Sequence, residues 1–188
     1  IERKRVILKN NKGITMVALV VTIIVILILA GISIGQGDKA IKISQLENLR
    51  TNMLLIQTKS KEYLENANFN LGTNIDNVTE EEKTNRVNKA KENLKGTEIT
   101  DGNIFDGNIN ITTEQITQDN TNYIYYYKLT TEDLEKMGLK NVESNDKKGW
   151  YIVKYDIKND EAEIYNQKGF EKENKTYYSL SEIKNLQA

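Results

Sequence analysis

An unbroken apolar run at residues 14–34 constrains this chain more than any other feature of its sequence. The run is 21 residues long, and a helix needs about 20 apolar residues to cross a hydrocarbon core of about 30 Å. Its hydroxyl side chains, those of Thr15, Thr22 and Ser33, can bond back to carbonyls of their own helix. The run therefore predicts one membrane-spanning helix.

The residues before the run predict its orientation. Residues 1–13 carry five Lys or Arg side chains against a single Glu. An excess of basic residues beside a first span holds that end in the cytoplasm, so everything after residue 34 is expected outside the cytoplasmic membrane. A cleaved secretory signal, cut within residues 30–35, is the alternative, although the apolar region of such a signal is usually only about 7–15 residues long.

The beginning of the run resembles the N-terminal signal of type IV pilins and pseudopilins. The family pattern is Gly, an apolar residue, Thr, Leu, Ile and Glu, and this chain reads Lys12-Gly13-Ile14-Thr15-Met16-Val17-Ala18-Leu19. In that family a membrane-embedded prepilin peptidase cuts after the glycine and methylates the new N-terminus. The resemblance implies a leader that ends at Lys12 and Gly13, with cleavage before Ile14 and N-methylation of Ile14.

Ala18 departs from the family pattern. The family's usual glutamate falls at this position, and in the family it is thought to pair with the methylated amine of a neighbouring subunit. A carboxylate inside lipid needs such a partner, so its absence removes an electrostatic reason for docking. The segment is similar to a variant of low-GC Gram-positive bacteria that reads Gly-Ile-Thr-Leu-Ile-Ala, and neighbouring spines are then expected to associate by apolar packing.

A helical pattern resumes soon after the apolar run. Apolar residues recur at spacings of three and four over residues 46–64, which predicts an amphipathic helix with one buried face. The two segments are predicted to form one long rod that is weakest at Gly31, Gly35 and Gly37, since each glycine costs about 1 kcal/mol relative to alanine. A membrane anchor that ends at these glycines and continues as a flexible stalk is the alternative.

Residues 66–188 predict a single domain outside the membrane. Residues 66–78 read as a loop, and the pattern from Thr79 to Glu82 predicts the capping box of a surface helix that ends near Gly96. The segment Asp-Gly-Asn-Ile occurs twice within residues 101–109, where turns are expected rather than a calcium site, because the spacing does not match an EF-hand loop.

The last third of the chain predicts an antiparallel sheet. Strands are expected at residues 123–129, 150–157 and 162–165, with a short helix over residues 131–137. In the second strand, Tyr151, Val153 and Tyr155 are expected on the inward face. The predicted fold class is α+β, a long N-terminal helix packed on a C-terminal antiparallel β-sheet, which agrees with the pilin-like architecture that the resemblance implies.

The consecutive tyrosines at positions 125–127 suggest a stacking platform for bases or sugars. Consecutive strand residues point to opposite faces, however, so this run predicts core packing instead. DNA binding therefore remains a second hypothesis without a motif of its own. Three Asn-x-Ser/Thr triplets, at Asn77, Asn110 and Asn174, are expected by chance in a chain rich in Asn and Thr and receive no function.

Composition excludes several classes of chemistry. The chain has no His and no Cys, which rules out Ser-His-Asp and Cys-His catalysis, zinc thiolate sites and iron–sulfur clusters. No proline is present, so there is no Leu-Pro-x-Thr-Gly sorting motif. A net charge of −1 gives no overall positive field that would attract nucleic acid. No cofactor, metal site or catalytic residue is predicted.

The sequence thus predicts a structural subunit of a type IV pilus-like filament or pseudopilus, and not an enzyme. Its expected partners are other copies or other pilins, the prepilin peptidase, the assembly machinery and the membrane. The chain is divided into a basic leader at residues 1–13, a span at 14–34, a continuing helix at 35–65 and an outer domain at 66–188. Two alternatives are a single-span surface protein for binding or adhesion that does not polymerise, and a hydrolase with an Asp/Glu pair.

Overall fold

A computed structural model describes residues 16–187 of the chain, and the side chains of residues 22, 23 and 39–187. The helices are α1 (Met16–Leu71), α2 (Glu80–Lys91), α3 (Thr113–Thr121), α4 (Thr131–Lys136) and α5 (Leu180–Ile183). The strands are β1 (Thr97–Ile99), β2 (Ile124–Leu129), β3 (Tyr151–Asp156), β4 (Glu161–Lys172) and β5 (Lys175–Ser179). Two 3₁₀ turns lie at Ile75–Asn77 and Gly102–Phe105.

The chain divides into two compact units, Ile1–Ile43 and Ser44–Ala188. The described part of the first unit is helical from Met16 onward, and its Ile41 and Ile43 side chains are exposed. The second unit holds the rest of α1 and every other element that the structure describes. The predicted α+β class, with a long helix packed on an antiparallel sheet, is confirmed in this second unit.

Helix α1 ends later than the sequence predicted. Residues 66–71 were expected in a loop because they are polar, but they contain no helix breaker, and Ala67 and Leu71 continue the buried stripe. The first residue that leaves the helix is Gly72, whose φ of +72° is the left-handed conformation that glycine adopts without a steric penalty. Its N–H donates to the carbonyl of Asn68 at 3.0 Å and closes the helix.

The five strands form one antiparallel meander in the order β1-β2-β3-β4-β5. Each strand pairs with the strand that follows it in sequence, and helices lie in the β1–β2 and β2–β3 connections. The tight β4–β5 turn places Glu173 and Asn174 at positive φ, as a type I′ turn requires. The predicted strands at 123–129 and 150–157 are confirmed as β2 and β3, and the predicted third strand extends to residue 172 as β4. The predicted helix over 131–137 is confirmed as α4.

The main core lies between α1 and one face of the sheet. The predicted stripe of α1 is confirmed, since Leu46, Met53, Ile56 and Leu64 are all buried in it. They pack with the inward side chains of the sheet, among them Tyr125, Tyr127, Tyr151, Val153 and Tyr155. The expected inward face of β3 is therefore confirmed as well.

The opposite face of the sheet is also buried. Ile152 and Tyr126 lie there in a second cluster with Phe105 of the 3₁₀ turn and Ile116 of α3. The sequence assigned the inward face of β3 to Tyr151, Val153 and Tyr155 alone, and that picture of a sheet with one buried face was incomplete. Helix α3 was not predicted because its nine residues are mostly Thr, Gln and Asn.

A line of polar side chains along one flank of α1 attaches the helix to backbone carbonyls of the sheet region. Arg50 donates to the carbonyls of Ile183 at 3.2 Å and Leu186 at 2.5 Å. Gln57 donates to Ala162 at 2.7 Å, and Asn68 donates to Ile157 at 2.7 Å. A hydrogen bond donated by a charged guanidinium contributes about 1.5–3 kcal/mol to the free energy of unfolding. The polar flank of α1 therefore adds to the stability that the apolar core provides.

Helix α2 confirms one half of its predicted capping box. Thr79 accepts a hydrogen bond from the N–H of Glu82, but the Glu82 carboxylate pairs with Arg86 instead of reaching back to the cap. The helix ends at Lys91, so the predicted stop at Gly96 was wrong. Gly96 has φ of +103° and lies where its own backbone closely approaches that of Lys128 in β2.

The repeated Asp-Gly segment forms turns, as predicted. Asp101 accepts from the N–H of Asn103 at 2.9 Å and from the hydroxyl of Thr113 at 3.1 Å. Asp106 adopts a φ of +49° and accepts from the side chain of Gln167 at 3.0 Å. Among the side chains that the structure describes, no group of three or more Asp or Glu residues is placed to hold a metal ion.

Candidate functional site

The predicted processing residues lie outside the described residues. Lys12, Gly13, Ile14 and Thr15 all precede Met16, the first residue that the structure describes. Their roles in leader recognition, cleavage and N-methylation stay predictions.

The other predicted spine residues lie within the backbone of α1. Ala18, Gly31, Gly35 and Gly37 are helical, but the surroundings of these positions are outside the described residues. Within the part of the chain that the structure describes, no helix is long and apolar enough to cross a membrane. The predicted span at residues 14–34 has nearly all its side chains outside that part, and it stays a prediction.

The second unit presents an unusual surface on α1, opposite the sheet. A helix turns by about 100° per residue, so Leu54 and Leu55 point away from the core that buries Met53 and Ile56. Leu54 is 37% exposed and Leu55 is 45% exposed. The exposed residues between positions 51 and 58 carry no charge, and we call them the outer helix face: Thr51, Leu54, Leu55 and Thr58.

The outer helix face differs from the rest of the surface. Charged residues make up 28% of the whole chain, and a helix exposed to water usually carries them on its outward side. On α1 the nearest charged side chains are Lys59, which is 38% exposed and pairs with Glu62 at 2.9 Å, and Arg50, which is 18% exposed and pairs with Glu47. The four side chains of this face carry no charge, but a surface that packs on Leu55 also meets the Lys59–Glu62 ion pair, which begins one turn further along the helix.

The most buried polar cluster lies on the other side of the sheet, beneath α3. The Tyr126 hydroxyl donates to Asp119 Oδ2 at 2.5 Å, and Gln115 donates to Asp119 Oδ1 at 2.8 Å. Lys154 Nζ lies 3.7 Å from the same carboxylate. Every carboxylate oxygen thus has a partner, and the cluster holds α3 on the sheet.

The Tyr126 hydroxyl of this cluster is not a general acid or base near neutral pH. Burial, followed by the hydrogen bond to Asp119, raises the pKa of Tyr126 well above its ordinary value. A phenol whose pKa is raised so far keeps its proton throughout the physiological range. The carboxylate that Tyr126, Gln115 and Lys154 share is that of Asp119, whereas the hydrolase hypothesis needs an Asp/Glu pair.

The tyrosine run is part of the core, as the sequence predicted. Tyr125, Tyr126 and Tyr127 are all buried, the first and third on the α1 side and the second on the α3 side. A stacking platform for bases needs exposed rings. The run therefore provides none.

The buried tyrosines predict a loss of stability at alkaline pH. Burial raises the pKa of Tyr125, Tyr155 and Tyr165 to about 12, above the ordinary value near 10 of an unfolded chain. Folding then favours the protonated phenols, so their contribution is complete below pH 10 and is lost as the pH rises towards 12. We expect absorbance at 295 nm to show delayed ionisation, coincident with the loss of far-UV circular dichroism. Ionisation of all ten tyrosines near pH 10 in a folded protein would contradict this result.

Sequence reasoning missed the outer helix face, although the signal was present in the heptad-like pattern. The stripe of residues 46–64 identifies the buried side of α1, and the residues between its members define the opposite side.

Comparisons of the chain with family models, curated proteins and solved structures find no match.

Proposed function

We propose that this chain is a pilin-like structural subunit that is cut after Gly13 and assembles into a type IV pilus-like filament or pseudopilus. The observation that carries the proposal is helix α1, which buries one face against an antiparallel sheet and leaves an uncharged outer helix face opposite it. The N-terminal segment around Gly13 and Ile14, which resembles a prepilin signal, supports the same function from a different part of the chain.

The physical argument rests on what each face of α1 needs. Leu46, Met53, Ile56 and Leu64 are already buried by the protein's own sheet. Leu54 and Leu55 stay 37% and 45% exposed in one copy, so covering the rest of each side chain is worth only a part of the about 1.5–3 kcal/mol that full burial of a leucine gives. A second copy that packs against this face removes apolar area from water, and it accommodates the Lys59–Glu62 ion pair at the edge of the face. Close apolar packing of this kind also suits a spine in which Ala18 replaces an acidic residue.

The role of the protein in this proposal is structural. Prepilin peptidase acts on the chain at the inner membrane surface, and the assembly machinery then moves it into a filament at the cell surface. The partners are other copies or other pilins, and the outer domain forms the surface of the filament. A single-span protein for adhesion that never polymerises is the competing function, and it needs neither cleavage at Gly13 nor a partner on the outer helix face.

The test is the intact mass and N-terminal sequence of the protein from native cells, measured in the membrane fraction and in material sheared from the surface. We expect a chain that starts at N-methyl-Ile14, and we expect it in both fractions. A variant with Gly13→Asp should keep the leader and disappear from the sheared fraction, whereas the matched variant Lys9→Gln should be processed normally. A native protein that keeps residues 1–13, or that is cut within residues 30–37, would show that the proposal is wrong.

A further inference from the structure

A polar cleft opens between α1, the loop before β3 and the middle of β4, entirely within the second unit. Its volume is about 750 Å³, which lies within the range of about 300–1,000 Å³ that is usual for ligand sites. Amide side chains dominate its α1 side, where Gln45, Asn48 and Asn52 line it, and Asn141 adds a fourth amide from the loop. Neither the predicted filament spine nor the outer helix face includes these residues.

A tight turn places two lysines at one rim of the cleft. The side chain of Asn145 accepts from the N–H of Lys147 at 3.0 Å and from the N–H of Lys148 at 3.3 Å. Asn145 also forms a bridge with Gly149 that closes the turn. Both lysine side chains line the cleft and are exposed. The turn therefore presents two adjacent positive charges from a backbone held by its own hydrogen bonds.

Asn166, a buried asparagine of β4, connects the lysine turn to the β4 side of the cleft. Asn166 is 1% exposed, and its Oδ1 accepts from the N–H groups of Lys168 at 3.1 Å and Gly169 at 3.0 Å. Its Nδ2 donates to the carbonyl of Lys148 at 3.3 Å. The β4–β5 register shifts between residues 165 and 170, and bulges of this kind often lie beside binding sites. Lys168 is thereby held close to the lysine pair, 20 residues away in sequence, and its Nζ donates to the carbonyl of Lys147.

The floor of the cleft is also polar. Tyr151 lines it and is 3% exposed. Burial raises the pKa of the Tyr151 hydroxyl, while hydrogen bonds with Asn52 and Asn166 act in the opposite direction. The Tyr151 hydroxyl therefore keeps its proton near neutral pH. The amides available to a ligand are those of Gln45, Asn48 and Asn141, which line the cleft and are exposed. Amide groups both donate and accept hydrogen bonds, so they suit a ligand that carries many hydroxyl groups.

We propose that this cleft binds an acidic oligosaccharide. Amides recognise the sugar hydroxyls, and the three lysines Lys147, Lys148 and Lys168 attract the carboxylates against a single acidic lining residue, Glu143. Nucleic acid is less suitable because sequence-independent binding of single strands uses exposed aromatic rings. The two aromatic side chains of the cleft, Tyr151 and Phe170, are buried. The proposal is independent of filament assembly, since it needs no second copy.

The test uses the full chain in detergent micelles and a fluorescein-labelled hyaluronan hexasaccharide, with binding followed by fluorescence anisotropy. We expect saturable binding with a dissociation constant below about 1 mM, weakened by salt as ion pairing requires. Unlabelled maltohexaose, which is neutral, and the oligonucleotide of six thymidines should each compete at least tenfold more weakly than the unlabelled hexasaccharide.

Two double variants with the same change in charge make the test specific. Lys148→Gln with Lys168→Gln should weaken binding at least tenfold, while Lys89→Gln with Lys184→Gln, at exposed positions outside the cleft, should change it by less than twofold. Circular dichroism checks that both proteins are folded. Absence of binding by the wild-type chain, equal losses in the two variants, or equal competition by the oligonucleotide or maltohexaose would each overturn the proposal.

Discussion

Replacing Ile56 with alanine is expected to lower the free energy of unfolding by about 2–5 kcal/mol. Ile56 is fully buried between α1 and the sheet, and its truncation removes apolar contacts and leaves a cavity that the packed strands only partly fill. Urea unfolding of the full chain in detergent, followed by circular dichroism, measures the change.

The neighbouring substitution Leu55→Ala is the matched control. Leu55 is 45% exposed on the outer helix face, so its truncation should change the free energy of unfolding by no more than about 0.5 kcal/mol. Leu54→Ser with Leu55→Ser should lower the free energy of unfolding by about 1 kcal/mol, because serine is a weaker helix former than leucine, but it should also reduce the amount of protein in sheared surface material. A large loss of stability in the Leu55 variant would contradict the assignment of the two faces. A double serine variant that assembles normally would remove the outer helix face from the filament proposal.

Gly96→Ala is expected to destabilise the protein by about 3–5 kcal/mol. Gly96 has φ of +103°, and an added Cβ would lie 2.6 Å from the backbone oxygen of Lys128 and 2.9 Å from Leu129 Cδ2. The new methyl group therefore meets β2 itself, which cannot move without breaking its pairing with β1. Thermal or urea unfolding of the variant measures the loss.

Gly138→Ala separates backbone strain from the clash. Gly138 also has a positive φ, of +87°, but an added Cβ would meet nothing within 4 Å. Its substitution should therefore cost only the conformational penalty of about 1–2 kcal/mol. Similar losses in the two variants would show that the close approach of Gly96 to β2 is unimportant for stability.

The elements that sequence predicted share a strong local pattern. The stripe of α1 repeats over many turns, and β2 and β3 are rich in aromatic and β-branched residues. Strand β1 was missed because it has only three residues and is formed by pairing with β2. Helix α3 was missed because Ile116 is its only buried apolar residue, and a single position defines no period.

The processing site around Gly13 and the polar cleft also differ in how much local sequence pattern they carry. A motif of consecutive residues around Gly13 is legible without any structure, which is why the processing site was predicted. The cleft that we propose as a binding site for an acidic oligosaccharide was not predicted. Its lining comes from three segments that are distant in sequence, residues 45–52, 141–151 and 166–170. These segments come together only after α1 has packed on the sheet and the β4 bulge has formed. Local patterns in the sequence do not show which distant segments come together.

The contacts of Arg50 also determine when the domain can be completed during synthesis. Its guanidinium binds the carbonyls of Ile183 and Leu186, which are 133 and 136 residues further along the chain. The helix leaves the ribosome before the segment that Arg50 holds. The hairpins of the meander pair locally and can form as they emerge, whereas the stripe of α1 must wait for them in an uncovered state. The packing of α1 is therefore completed only by a segment that is synthesised 133–136 residues after Arg50.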